Sequence, residues 1–303
     1  MFNHHCFYSV VTRLTNKNGH NLKECDVFNL MGGHSFRITK KDNGYFPYVE
    51  FCANKISTEI FKNMTGIKLV HETFKNGDFE IQKTMNNLKK VKNQVVLTNC
   101  FHLPYDSINY KKRKGNHYIM IHSYNQDNDT FLVSDNKYET VIIEMNDLML
   151  AMNNQMRHKD HVVFLNYEED FIESNIIDGI TRIIRLNAIE ILETCEQQFV
   201  ELKEHLKGIN ELDPLEKSLS YFEMIHSIKS FNGPILSKNY LLQSLQKKNI
   251  EIDKKLIQSI GMWERLCFNF YKIYQFDMEI DLNNSIDKLL KLELSINNRL
   301  LNN

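Results

Sequence analysis

Proline is scarce in this chain, four in 303 residues, and glycine is held to eleven. That leaves little room for proline-rich linkers or long structureless loops. The six cysteines, at 6, 25, 52, 100, 195 and 267, include no CxxC pair. A zinc ribbon or a disulfide framework is thereby excluded, and a reduced, cytoplasmic setting is expected. No apolar run approaches the roughly 18 to 20 residues that a membrane-spanning helix needs. Met1-Phe2-Asn3-His4-His5 carries neither a basic stretch nor an apolar core, so no secretory signal is read there. Charge of one sign is missing as well: 37 basic residues meet 38 acidic ones for a net charge of -1. Neither nucleic acid nor a membrane surface is implied as a partner.

What is present is the composition of a globular protein, 42% hydrophobic and 25% charged. Phe7, Val10, Val11 and Leu14 recur at helical spacing after Cys6, and Asn16-Lys17-Asn18-Gly19 ends the run. A short helix around residues 22–30 stops at Met31-Gly32-Gly33. Strands are expected at 35–39, 46–52, 67–73, 94–99, 115–124, 130–135, 140–144 and 161–166. Helices are expected at 56–65, 79–91 and 146–153. Beyond Tyr167 the alternating pattern is gone and only helical spacing remains. Asp213-Pro214 reads as an N-cap followed by proline at the first helical position. Further helices are expected at 235–248 and 252–276, with a last one from about 281 to 301. The fold class is therefore α+β, with an antiparallel sheet in a first domain at 1–167 and an all-α domain at 168–303.

The most informative stretch is Gly115–Tyr124, followed by the turn Asn125-Gln126-Asp127-Asn128-Asp129 and by Thr130–Asp135. A hairpin brings the start of one strand beside the end of the next. His117 and Asp135 can thus meet at one sheet edge, an imidazole oriented by a carboxylate. Cys6, in the first turn of a helix, sits where unpaired N–H groups favour a thiolate. The plain alternative for that cysteine is a small buried apolar side chain. The order nucleophile, base, orienter, with the nucleophile on the first helix, is that of papain-like cysteine enzymes.

His5-Cys6, Met31-Gly32-Gly33-His34-Ser35-Phe36, Leu103-Pro104-Tyr105 and His117–Ile121 through Val133-Ser134-Asp135 resemble the butirosin biosynthesis protein H family. Gly261-Met262-Trp263-Glu264-Arg265-Leu266 is similar to the domain that often follows in that family. The resemblance implies a papain-like acyltransferase. In it, Cys6 takes an acyl group from the phosphopantetheine thioester of an acyl carrier protein and passes it to an amine of a small natural-product acceptor. His117 matches the base and Asp135 the orienter. No cofactor of the protein's own is implied, since the phosphopantetheine arrives on the carrier protein. Gly32, Gly33, His34 and Tyr105 are the substrate-binding candidates, although a helix C-cap accounts for the two glycines equally well. A peptidase or amidase, or a non-catalytic binding protein on the same fold, are the competing readings.

One departure from papain-like peptidases is plain. Only five residues precede Cys6 and none is glutamine, so the second oxyanion donor, beyond the Cys6 N–H, is open; Asn3 is one candidate. His4, His5 and Cys6 are adjacent and converge poorly on a metal ion, so no metal site is expected. His122 is read as a satisfied sheet residue, His158 and His161 as water-facing, and His34 and His102 as loop residues with a structural role or a place at a pocket. Lys111-Lys112-Arg113-Lys114 is a solvated loop or a docking point for an acidic carrier protein. Trp263, Phe268, Phe270 and Tyr271 are expected to pack internally or on the first domain, with a pocket cap or a homodimer contact as the other uses of the helical tail.

Overall fold

The computed structural model describes residues 5–54, 56–75, 86, 89, 93–156, 161–169, 176–230, 232–247 and 254–302. Of the helix expected at 79–91 only residues 86 and 89 are among these, and Asn3, His4 and His158 lie outside them. The chain forms two compact units: residues 1–27 with 65–173, and residues 28–64 with 174–303. The sequence reading divides the chain once, after residue 167. The units of the structure are instead discontinuous, and 28–64 go with the helical C-terminal part.

The first unit starts with α1 (Cys6–Lys17) and the beginning of α2 (Glu24–Leu30). After them come strands β3 (Ile67–Lys75), β4 (Gln94–Asn99), β5 (Asn116–Asn125), β6 (Thr130–Ser134), β7 (Val141–Glu144) and β8 (His161–Glu169). Helix α4 (Met145–Asn153) precedes the last of these. β1 (His34–Asp42), β2 (Pro47–Asn54) and α3 (Thr58–Thr65) lie between α2 and β3 in sequence. The six strands of the first unit form one antiparallel sheet in the order β3-β8-β4-β5-β6-β7.

The alternation in β5 determines what the sheet buries. Ile119 and Ile121 are fully buried and join Val96 of β4, Phe131 and Val133 of β6, and Leu148, Ala151 and Met152 of α4 in one core. Fully burying each such aliphatic side chain contributes about 1.5–3 kcal/mol. Register follows from these faces: Thr98 of β4 pairs with His117, and Met120 pairs with Ser134 of β6. The turn at 125–129 behaves as its composition predicts. Asn125 Oδ1 accepts from the Asp127 N–H at 3.0 Å, and Asp129 takes a left-handed φ of 52°.

The second unit holds the hairpin β1–β2 and the helices α5 (Ile176–Asn210), α6 (Pro214–Lys229), α7 (Pro234–Lys247), α8 (Lys254–Phe276) and α9 (Asn283–Asn302). Asp213 caps α6 as expected, its carboxylate accepting from the N–H groups of Leu215 and Glu216. The hairpin is tied to α6 by the Ser220 hydroxyl on Pro47 O and by the Phe51 N–H on Ser227 Oγ. Phe36 and Phe51 of the hairpin pack on Trp263. The helical region is therefore not a purely helical body: its core needs two strands.

Trp263 and Phe270 are fully buried, but Phe268 is 55% and Tyr271 42% exposed. Residues 263, 266, 267, 270 and 273 form the inward stripe of α8, and 268 and 271 fall on its other side. The internal packing expected of those two is corrected by helical periodicity. A feature with no sequence signal lies beneath: Lys238 and Glu293, both fully buried, meet at 2.6 Å. Ser259 and Trp263 donate to the second Glu293 oxygen, so the pair is satisfied in a setting where an unpaired charge would be very costly.

Candidate active site

Helix α1 begins at Cys6, and its cap is an imidazole. His5 Nδ1 accepts the Phe7 N–H at 3.2 Å, and burial lowers the His5 pKa to about 4. A neutral ring is what this role requires, because a protonated Nδ1 could not accept. The His5 N–H in turn donates to Glu24 Oε1 at 2.9 Å, which fixes the entry into the helix. The Cys6 side chain, half-buried, is thus presented from the first helical turn toward the start of β5.

His117 is the second residue of β5, buried at 9% exposure, and its backbone is tied to Thr98, whose hydroxyl donates to His117 O at 2.8 Å. The ring Nε2 lies 3.0 Å from Asp135 Oδ2. Asp135 follows β6 and is fully buried. Its other oxygen, Oδ1, accepts from the N–H groups of Lys137 at 2.7 Å and Tyr138 at 2.8 Å. With Nε2 committed to the acid, Nδ1 is the ring nitrogen left for the Cys6 sulfur, to which the ring is hydrogen-bonded.

The electrostatics follow from this line of three groups. Burial opposes ionisation of Cys6, yet the hydrogen bond and charge of His117, with the N–H groups of Tyr118 and Phe7, draw its pKa below the usual thiol value. Burial likewise opposes protonation of His117, but Asp135 and Cys6 outweigh it and raise the ring to about 9. Burial works against the Asp135 charge too, and the His117 ring and the two backbone donors still hold that carboxyl below its ordinary range. At neutral pH the ring is held as imidazolium beside a carboxylate, and the thiol is shifted toward the thiolate. By contrast, burial pushes Cys100 and Cys267 upward and takes Cys195 to about 12.

The other sequence candidates have local partners. Tyr105 is half-buried with its hydroxyl out of solvent, and desolvation followed by the nearby Asp135 charge raises its phenol well above the usual value. Gly32, Gly33 and His34 belong to the second unit. The Gly33 N–H bonds Phe28 O and the Gly32 N–H bonds Asn29 O, which is the six-to-one and five-to-two pattern of a helix C-cap. A Cβ on Gly33, at φ 65°, would come 3.0 Å from Asn29 Oδ1. His34 is buried, its Nδ1 2.9 Å from Ser237 Oγ, and desolvation with the nearby Lys238 charge keeps it neutral. His122 bonds Ser134 Oγ at 2.7 Å and Asn93 Oδ1 at 3.2 Å. His102 lines an open cleft of about 460 Å³ with Asn99, Lys114 and residues 153–156. The pattern reading did not single out Asp106 or Lys137, which lie beside the acid; their pairing joins residues 31 apart and leaves no periodic trace. Among the described residues no group of three or more His, Cys, Asp or Glu side chains is placed to hold a metal ion. No helix among them is long and apolar enough to cross a membrane.

Fold and site together define an α+β protein with a thiol, an imidazole and a buried carboxylate aligned at the end of an antiparallel sheet. Residues 5–136 are similar to the family model described as Butirosin biosynthesis protein H, N-terminal. The matched stretch takes in Cys6 and His117 and closes one residue after Asp135. No curated protein matches the chain.

Proposed function

We propose that the protein is an acyltransferase of papain-like type, acting by covalent catalysis at Cys6 in biosynthesis of a small natural product. The observation that carries this reading is the thiol whose proton is drawn to an imidazole held by a fully buried acid. In the first half-reaction the Cys6 thiolate attacks the carbonyl of a carrier-protein thioester. The carbon–sulfur bond to phosphopantetheine breaks, and the departing sulfur takes the proton from His117. One thioester replaces another, so the step is close to balanced and depends on positioning and on holding the oxyanion. In the second, an acceptor amine attacks the acyl-Cys6 carbonyl, His117 takes the amine proton, and the Cys6 thiolate leaves.

The Cys6 N–H, at the first helical position, has no intrahelical acceptor and suits one oxyanion contact. Asn3, the other donor considered from sequence, lies outside the described residues. Lys111, Lys112, Arg113 and Lys114 are all exposed, and Lys114 also lines the cleft beside His102. A basic loop at this place suits docking of an acidic carrier protein. Incubating the protein with acyl-carrier thioesters and weighing it by mass spectrometry tests the reading. An acyl adduct on Cys6 that is discharged by an amine is the expected result. An adduct discharged by water alone favours a peptidase or amidase, and the absence of any adduct with every thioester defeats covalent transfer.

A further inference from the structure

Leu103-Pro104-Tyr105 contributes no reacting group, yet the residues at its end are packed around the turn that carries the acid. Asp106 is 1% exposed, and its carboxylate accepts from Asn109 Nδ2 at 2.6 Å. The Lys137 ammonium lies 3.4 Å from each Asp106 oxygen. Lys137 is also the residue whose backbone N–H donates to Asp135 Oδ1 at 2.7 Å. The second N–H on that oxygen comes from Tyr138, whose ring meets Tyr105 edge-on with centroids 5.4 Å apart. Both backbone donors that hold Asp135 are therefore anchored, through their own side chains, to residues 105 and 106. The anchor is itself rigid: the Asp106 N–H bonds Leu103 O, and Asp106 O accepts from Asn109 and Tyr110.

We propose that Tyr105, Asp106 and Lys137 are positioning residues that lock the 135–138 turn, so that Asp135 keeps one oxygen on its backbone donors and aims the other at His117. This rests on the Cys6/His117/Asp135 reading above and assigns Tyr105 to the support of the acid rather than to substrate contact. The physical need is geometric and electrostatic. A turn rotated by a few tens of degrees would exchange or lose the Oδ2 contact to the ring. Asp106 is itself a buried carboxylate, and the Lys137 ammonium is the cation placed beside it.

The test is the pH dependence of Cys6 alkylation by iodoacetamide in the full chain, with an NMR titration of the His117 ring. Lys137→Gln keeps the backbone donor, removes the charge, and changes a side chain that is 36% exposed, so the fold should tolerate it. Asp106→Asn removes the partner charge at nearly constant shape. The expected result is a His117 pKa lower by a unit or more and a Cys6 pKa higher by a similar amount. At any pH below the wild-type Cys6 pKa, a one-unit rise corresponds to about tenfold slower alkylation, and Lys137→Arg should restore the wild-type profile. A merely structural ion pair would lower the melting temperature and leave the profile in place. Profiles of Lys137→Gln and wild type that superimpose overturn the proposal, and they do so even if Asp106→Asn fails to fold. A wild-type His117 titrating near 6.5 would instead defeat the thiolate–imidazolium reading. The clamp would then still be decided by whether Lys137→Gln moves the ring from its wild-type value.

Discussion

His117 Nε2 and Asp135 Oδ2 lie 3.0 Å apart, although eighteen residues and a complete strand–turn–strand separate them. The hairpin register makes this possible. Met120 pairs with Ser134, so the residue after Ser134 comes level with Ile119, two positions along β5 from His117. A ring held at one nitrogen by a buried anion has its other nitrogen aimed, and that aim is what the sulfur of Cys6 meets.

Cys6 is expected to be the first of the six cysteines to react. With iodoacetamide near pH 7 and a substoichiometric dose, peptide mapping should find the label on Cys6. Cys195, pushed up to about 12, and the raised Cys100 and Cys267 should stay unmodified. Cys6→Ala should abolish transfer while the circular dichroism spectrum and melting temperature stay close to wild type, because alanine is a good residue at an early helical position. Label spread evenly over several cysteines would contradict the site.

Alkylation and acyl transfer should part company at high pH. Alkylation needs only the thiolate, so it should rise through the lowered Cys6 pKa and stay flat beyond it. Transfer also needs the His117 proton for the departing sulfur, so it should decline as the pH passes about 9. Rates of both followed from pH 5 to 10.5 check this. A parallel decline of the two would mean that the proton on His117 plays no part.

Asp135→Asn should cost far more in rate than in stability. The amide fills the same space and can accept from Lys137 and Tyr138, but it no longer favours the protonated ring. Loss of an orienting acid in a comparable triad costs up to roughly ten-thousandfold in turnover, and a loss of at least a hundredfold is expected here. The NMR titration of His117 should move down from about 9 in the same variant. Turnover within a few-fold of wild type would remove Asp135 from the mechanism.

His5 should make the fold sensitive to acid. Its folded pKa of about 4 lies below the ordinary value of 6.5, so between those limits the unfolded chain binds the extra proton. The stabilisation is complete above pH 6.5 and fades as the pH falls toward 4. Denaturant melts at pH 7 and pH 4.5 should show His5→Ala closing part of the gap between them. At pH 7 the same variant should lose about 1 kcal/mol, the usual worth of an N-cap. A gap of unchanged size in the variant would place the acid sensitivity elsewhere.

Reversing the loop at 111–114 should weaken use of the carrier protein without touching the thiol. With all four residues changed to glutamate, the KM for an acyl-carrier thioester should rise about tenfold or more, and the effect should shrink in 0.5 M salt. Alkylation of Cys6 should be unaltered. An unchanged KM would show that the carrier does not dock on this loop.

Much of the fold follows from local pattern. The helix at Cys6 begins on the expected residue, β4 spans Gln94–Asn99 as read, and Asp213-Pro214 opens α6. Each rests on something a short stretch carries by itself: periodicity, alternation, or a capping pair. The hairpin that joins His117 to Asp135 belongs to this group, because its register follows from two adjacent strands and the turn between them. Other features were illegible. An imidazole as the cap of α1 has no sequence signature, since its acceptor role depends on burial keeping it neutral. The inward and outward sides of α8, with Trp263 in and Phe268 out, depend on which face met the strands of the hairpin.

By itself, then, the order of residues determined the α+β class, the strands and helices, and the neighbours that hairpin geometry brings together. It could not determine that residues 28–64 would join the helices after 174, or that Lys238 would find Glu293 and Lys137 find Asp106. Those are pairings over tens of residues or more, settled when burial makes a lone charge too costly and the chain must bring it a partner.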